Sequence, residues 1–210
     1  MAPQQKTRIS WIWLPLFLLA GTPAGAQSPE RLKSVLADPH ARAAAVEAGR
    51  KASSFCANCH GADGNSKTPE VPNLAGQNPI YLLEQVRKFA SGARRDQWME
   101  PAIKLLNDTE RLNIVAYYAS MEVAPARSTR PSDAGRELFS KRCSACHGGE
   151  ARGGERFPRL AGQQAVYLVR SLTRYRDRTG QRMEPEMLAM TAALRDKDIR
   201  DLSDYLSALR

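Results

Sequence analysis

Histidine is scarce in this 210-residue chain, with His40, His60 and His147 as the only three. A metal centre that gathers several imidazoles from separate segments is excluded by that count. Cysteine is equally sparse: four residues form two pairs of identical spacing, and none is left over for a structural disulfide. After Ala20 no apolar run approaches the roughly 20 residues that cross a bilayer. Alternating β-branched stretches, the mark of half-buried strands, are also missing, so a mainly α fold is expected. Charge of one sign does not dominate either. With 31 Lys and Arg against 22 Asp and Glu, the formal excess of +9 is too modest to argue for a nucleic-acid partner.

What is present is concentrated in Cys56-Ala57-Asn58-Cys59-His60 and Cys143-Ser144-Ala145-Cys146-His147. In a Cys-x-x-Cys-His segment each thiol can add to a haem vinyl group as a thioether, and the adjacent histidine supplies an axial iron ligand from the same turn. A zinc or redox Cys-x-x-Cys site is the competing reading, but it leaves a histidine after the second cysteine unexplained in both copies. The expected cofactors are therefore two covalently bound haem c groups.

The N-terminus reads as an export signal. Lys6 and Arg8 precede an apolar stretch from Ile9 to Ala20, and Ala24-Gly25-Ala26 forms an A-x-A cleavage site. That stretch is short for a retained anchor and is broken by Pro15. Residues 1–26 are thus expected to be removed, leaving a periplasmic protein without a membrane span, whose contact with a membrane would be peripheral. From Glu122 onward 17 Lys and Arg face 12 Asp and Glu, which favours an acidic partner weakly. Arg170, Arg174 and Arg178 share a helical face, with Arg176 and Arg182 nearby, and read best as a solvated face.

The two halves repeat one another well beyond the haem motifs. Ala48-Gly49-Arg50 answers Ala134-Gly135-Arg136, each expected to open the helix that carries the cysteines. Pro72-Asn73-Leu74-Ala75-Gly76-Gln77 answers Pro158-Arg159-Leu160-Ala161-Gly162-Gln163. Helical periodicity pairs Tyr81–Phe89 with Tyr167–Tyr175 and Leu106–Tyr117 with Leu194–Tyr205, with Asp108 and Asp196 near the starts of the last helices. The expected organisation is two tandem domains, 27–121 and 133–210, joined by a proline-containing linker over 122–132.

With so few histidines, methionine is the expected sixth ligand. Met99 is the first-half candidate, in the loop seven residues before Leu106. In the second half Met187 keeps that spacing to Leu194, whereas Met183-Glu184-Pro185 copies Met99-Glu100-Pro101. Register favours Met187; local identity favours Met183, with Met190 a weaker third and Met121 read as packing. A thioether favours ferrous iron, so His/Met ligation implies high-potential centres with both axial positions filled. Pro72 and Pro158 follow the two motif histidines closely, and a proline carbonyl can accept the imidazole N–H without offering a donor of its own. Trp98 could pack on the porphyrin, and His40 is given no metal role.

From about Glu47 onward these motifs resemble the cytochrome c4 family, the dihaem class I cytochromes c. The resemblance implies two class I cytochrome c domains with haem propionates near their interface. It implies attachment at Cys56, Cys59, Cys143 and Cys146 and axial ligands His60, Met99, His147 and Met187. It further implies an electron carrier rather than an enzyme, moving electrons from a quinol-oxidising complex or a dehydrogenase to a terminal oxidase. Two alternatives stand beside that: the cytochrome subunit of a periplasmic dehydrogenase, such as a sulfide-oxidising flavoprotein, or a dihaem enzyme with an open distal site. Residues 28–46 are an extension that the family does not need.

Overall fold

The computed structural model describes residues 28–124, 131–179, 182 and 184–210; the expected signal peptide, Pro125 of the linker and Met183 lie outside the described residues. Among the described residues there are helices and loops and no strand. None of these helices is long and apolar enough to cross a membrane.

Two Pro-started helices open the chain. Ser28 accepts from Arg31 N at 3.0 Å to cap α1 (Pro29–Ala37), and Asp38 accepts from Ala41 N at 2.7 Å to cap α2 (Pro39–Ala52). Asx and Ser side chains satisfy N–H groups that the first turn leaves free, and Pro at N1 has none to leave. The short α3 (Ala57–His60) follows, then α4 (Pro79–Ser91), α5 (Met99–Lys104) and α6 (Asp108–Ala119). In the second half α7 (Asp133–Arg142), α8 (Ser144–His147), α9 (Ala165–Asp177), α10 (Pro185–Thr191) and α11 (Asp196–Ala208) repeat α2 to α6.

Each half is held by a crossing of its first long helix over its last. A Cβ added to Gly49 would lie 2.0 Å from the Asn113 carbonyl oxygen, and one added to Gly135 would lie 2.0 Å from that of Asp201. Only glycine lets the backbones approach this closely, which explains why the Ala-Gly-Arg triplet recurs. The triplets sit differently from expectation, however. Ala134–Arg136 lies in the first turn of α7, but Ala48–Arg50 lies near the end of α2, which the Asp38–Pro39 cap starts about two turns earlier. Neither long helix carries the cysteines: α2 and α7 stop first, and Cys56 and Cys143 stand at the N-caps of α3 and α8.

The extension is also part of the fold. Leu32 is wholly buried, and with Val35 and Ala45 it joins a core containing Leu83, Leu112 and Tyr118. The second core, built on Phe139, Leu168, Ile199, Leu202 and Leu206, has no counterpart to α1. The halves meet through their Pro-x-Leu-Ala-Gly-Gln loops, where Gln77 and Asn78 bond to 152–159, Asn73 bonds to Gly162 and Gln163, and Gln164 bonds to Ser66.

Candidate functional site

His60 and His147 end α3 and α8 and are buried, at 5% and 6% exposure. Their Nδ1 atoms lie 2.9 Å from the Pro72 carbonyl oxygen and 3.1 Å from that of Pro158. A carbonyl can only accept, so Nδ1 carries the proton in both rings and Nε2 keeps its lone pair. Burial lowers both imidazole pKa values against the opposing pull of the proline carbonyls, so each ring is held neutral. A neutral imidazole with a fixed tautomer is the form that ligates a metal.

The cysteines flank these rings, Cys56 and Cys143 half-buried and Cys59 and Cys146 exposed. Burial pushes the Cys56 thiol up, and the Cys143 thiol up to about 11.

Both histidines line one continuous cavity of about 670 Å³ that runs between the halves. Its apolar walls include Leu83, Phe89 and Ile114 on one side and Phe139, Leu168 and Leu206 on the other. Met99 and Met187 both line it, half-buried; Met190 lines it too but is 49% exposed. Met121 packs against the first core, and Met183 lies outside the described residues. Met99 proves to be the first residue of α5 rather than a loop residue, and Met187 sits inside α10. The buried positions Ile103 and Thr191 stand four residues after Met99 and Met187, at 3% and 2% exposure, so both methionines hold the same place relative to the core.

Two expectations fail. Trp98 is 75% exposed and does not line the cavity. Arg182 does not belong to a solvated face: it crosses to the first half, giving Nη2 to the Tyr81 hydroxyl at 2.7 Å and Nη1 to the Tyr167 hydroxyl at 3.3 Å. Beside it Glu184 accepts from Tyr175 at 2.5 Å and from Lys88 at 3.1 Å. Arg170 reaches across as well, to the Glu70 carbonyl at 2.9 Å, while Arg174 and Arg178 remain exposed. His40 is exposed on α2, with no metal-holding cluster of His, Cys, Asp and Glu among the described residues.

The Nε–H of Arg182 is buried without a partner among the described residues, and Arg182 lines the cavity. A buried unpaired cationic donor calls for an acidic oxygen. An apolar planar group with carboxylates at its edge, attached through the four cysteines, fits this lining. Sequence reasoning missed Arg182 and the interface amides of Gln77 and Gln163, although the retention of that glutamine in both repeats was a signal.

Residues 46–122 and 132–210 each match the cytochrome c family model. The chain is 35% identical over 177 residues to a cytochrome c4 of Pseudomonas aeruginosa, covering 77% of this chain and 87% of that one. It is 33% identical over 170 residues to a thiosulfate dehydrogenase electron acceptor of Stutzerimonas stutzeri, covering 72% and 77%. The crystal structure of reduced recombinant cytochrome c4 from Pseudomonas stutzeri superposes with a TM-score of 0.73 at 30% identity, covering 79% of this chain and 98% of that one.

Proposed function

The chain belongs to the cytochrome c4 family, and on that premise we propose that it is a periplasmic carrier between a quinol-oxidising complex or dehydrogenase and a terminal oxidase. It is an electron-transfer protein with two covalently attached haem c groups. Each haem supplies a one-electron ferric/ferrous couple. In our reading residues 1–26 are removed on export, and residues 27–121 and 133–210 form the two haem domains, joined by 122–132. His60 and Met99 hold one haem and His147 and Met187 the other.

The observation that carries this reading is the pair of buried, Nδ1-pinned imidazoles on one cavity, each with a methionine in equivalent register. The proline carbonyls hold the proton on Nδ1 and leave each Nε2 lone pair free, and burial disfavours the doubly protonated ring. The apolar walls would exclude water, and the Arg182 Nε–H would be available to a haem propionate. Thioether ligation by Met99 and Met187 would raise the potential relative to two imidazoles, which would suit delivery to an oxidase.

The test is the visible spectrum of the fully reduced holoprotein before and after carbon monoxide, which binds ferrous haem only at an open sixth position. An unchanged spectrum is expected; a shift amounting to one haem would overturn the Met187 assignment and bring forward a dihaem enzyme. A second reading, favoured by the thiosulfate dehydrogenase electron acceptor relative, makes thiosulfate oxidation the source of electrons. Reduction of this protein by thiosulfate only when such a dehydrogenase is added would single it out.

A further inference from the structure

The interface between the halves is built against the two peptide units that hold the proximal histidines. The Pro72–Asn73 peptide accepts from His60 Nδ1 through its carbonyl, at 2.9 Å, and donates through its N–H to Gln163 Oε1, at 2.7 Å. The Pro158–Arg159 peptide accepts from His147 Nδ1 at 3.1 Å and donates to Gln77 Oε1 at 2.7 Å. Two chains of imidazole, amide and glutamine result, each crossing from one half to the other.

The glutamine orientations are set by their partners. Gln163 Nε2 donates to the Asn73 carbonyl at 3.0 Å and Gln77 Nε2 to that of Arg159 at 2.9 Å, so neither amide can be reversed without opposing like groups. Each Oε1 also accepts the next N–H of its own chain, from Asn78 at 2.9 Å and Gln164 at 3.0 Å. Both side chains are buried, at 6% and 7% exposure.

Docking alone does not require this arrangement. The halves are joined independently by Asn78 to the Phe157 carbonyl at 2.7 Å, Gln164 to the Ser66 carbonyl at 2.7 Å and Arg182 to Tyr81. What distinguishes the glutamines is their target. Hydrogen-bonded amides polarise one another, so an acceptor on the N–H makes the carbonyl of the same peptide a stronger acceptor. A stronger acceptor draws the imidazole N–H toward it and makes the ring a more electron-rich ligand, which stabilises ferric over ferrous iron.

We propose that Gln77 and Gln163 are positioning residues that set the haem potentials crosswise: Gln163 acts on the His60 haem and Gln77 on the His147 haem. The proposal rests on His60 and His147 being the proximal ligands. One electron enters or leaves each haem, and the Nδ1 proton stays on its ring in both states, only more or less shared with the carbonyl.

The experiment uses the full holoprotein and two substitutions of opposite sense. Gln163→Met removes the acceptor of Asn73 N–H while keeping the bulk; Gln163→Glu keeps an oxygen there and strengthens it with charge. In a spectroelectrochemical titration Gln163→Met should raise one of the two one-electron steps. The expected size is about threefold in ferric-to-ferrous ratio at fixed poise, which at 59 mV per tenfold is about 28 mV. Gln163→Glu should lower that step, whereas a merely structural contact would be loosened by both variants and move it the same way. Gln77→Met should raise the other step.

Proton NMR of the ferrous protein gives the assignment without the potentials. The His60 Nδ1–H resonance should move upfield in Gln163→Met while that of His147 stays, and the reverse should hold for Gln77→Met. Movement of the same-half resonance, equal movement of both, or unmoved potentials would overturn the inference. A parent holoprotein lacking the two low-spin ferrous Nδ1–H signals would instead defeat the ligand assignment beneath it.

Discussion

The two halves share a haem scaffold and differ in what buttresses it. In the first, α1 and the early turns of α2 lay Leu32, Val35 and Ala45 against the core; in the second, α7 begins at Asp133 and no described residue takes their place. The last helices differ in the same direction. Asn107 and Glu110 cap α6 reciprocally, at 3.0 and 2.8 Å, while at the equivalent start of α11 only Asp198 reaches back, accepting from Arg195 N at 2.9 Å. A domain of under 100 residues is marginal on its own core. The first half has added protein to that core; the second leans on its cofactor and on the interface.

The largest test of this contrast is Leu32→Ala. Removing a fully buried leucine costs about 3 kcal/mol when the site cannot collapse. That loss should appear as faster amide exchange in α2 and α6, with α7 and α11 unchanged. Equal loss in both halves would mean that they unfold as one unit, and the comparison between them would lose its energetic meaning.

What could be read beforehand follows the same division between local and tertiary signals. The haem motifs, the repeat and the proline acceptors are matters of spacing along the chain, and the structure places Pro72 and Pro158 against the imidazoles as that spacing implies. The early start of α2 was written locally too, since Asp38-Pro39 is a cap followed by proline at N1, but the repeat alignment drew attention to Ala48 instead. Arg182 was not legible. Its neighbour Arg178 is exposed, and the opposing Tyr81, more than 100 residues away, draws Arg182 inward together with Tyr167. The burial of Leu32 was hidden for the same reason: helical periodicity reports a face, not what covers it.

A smaller effect comes from the caps. Asn107→Ala should cost about 1 kcal/mol in the first half, the usual worth of an N-cap side chain. Arg195→Asn should bring α11 part of what α6 already has, raising the midpoint of the second half in urea. If Arg195→Asn lowers that midpoint, the fork between the Arg195 guanidinium and Asp198, at 2.8 and 2.9 Å, is worth more than the missing cap.

The smallest difference is electrostatic and has a pH signature. Glu47 and Asp133 occupy equivalent places, but Glu47 holds Arg50 by two bonds of 2.9 Å with Lys51 alongside, while Asp133 holds Arg136 by one of 3.0 Å. The bonds from Arg50 draw the Glu47 carboxyl down to about 2. A carboxylate whose pKa is lower folded than unfolded stabilises the fold above the unfolded value, near 4.3, and loses that contribution as pH falls toward 2. Glu47→Gln should therefore flatten the decline of first-half stability between pH 4.5 and about 2.5, measured by urea midpoints, while the second half keeps its parent profile. The Glu47 carboxylate is solvent-exposed, so its effect should shrink in about 1 M salt, where the screening length falls to about 3 Å. An unflattened decline in Glu47→Gln would place the acid sensitivity in overall charge rather than in the Glu47–Arg50 fork, and the fork would no longer separate the halves.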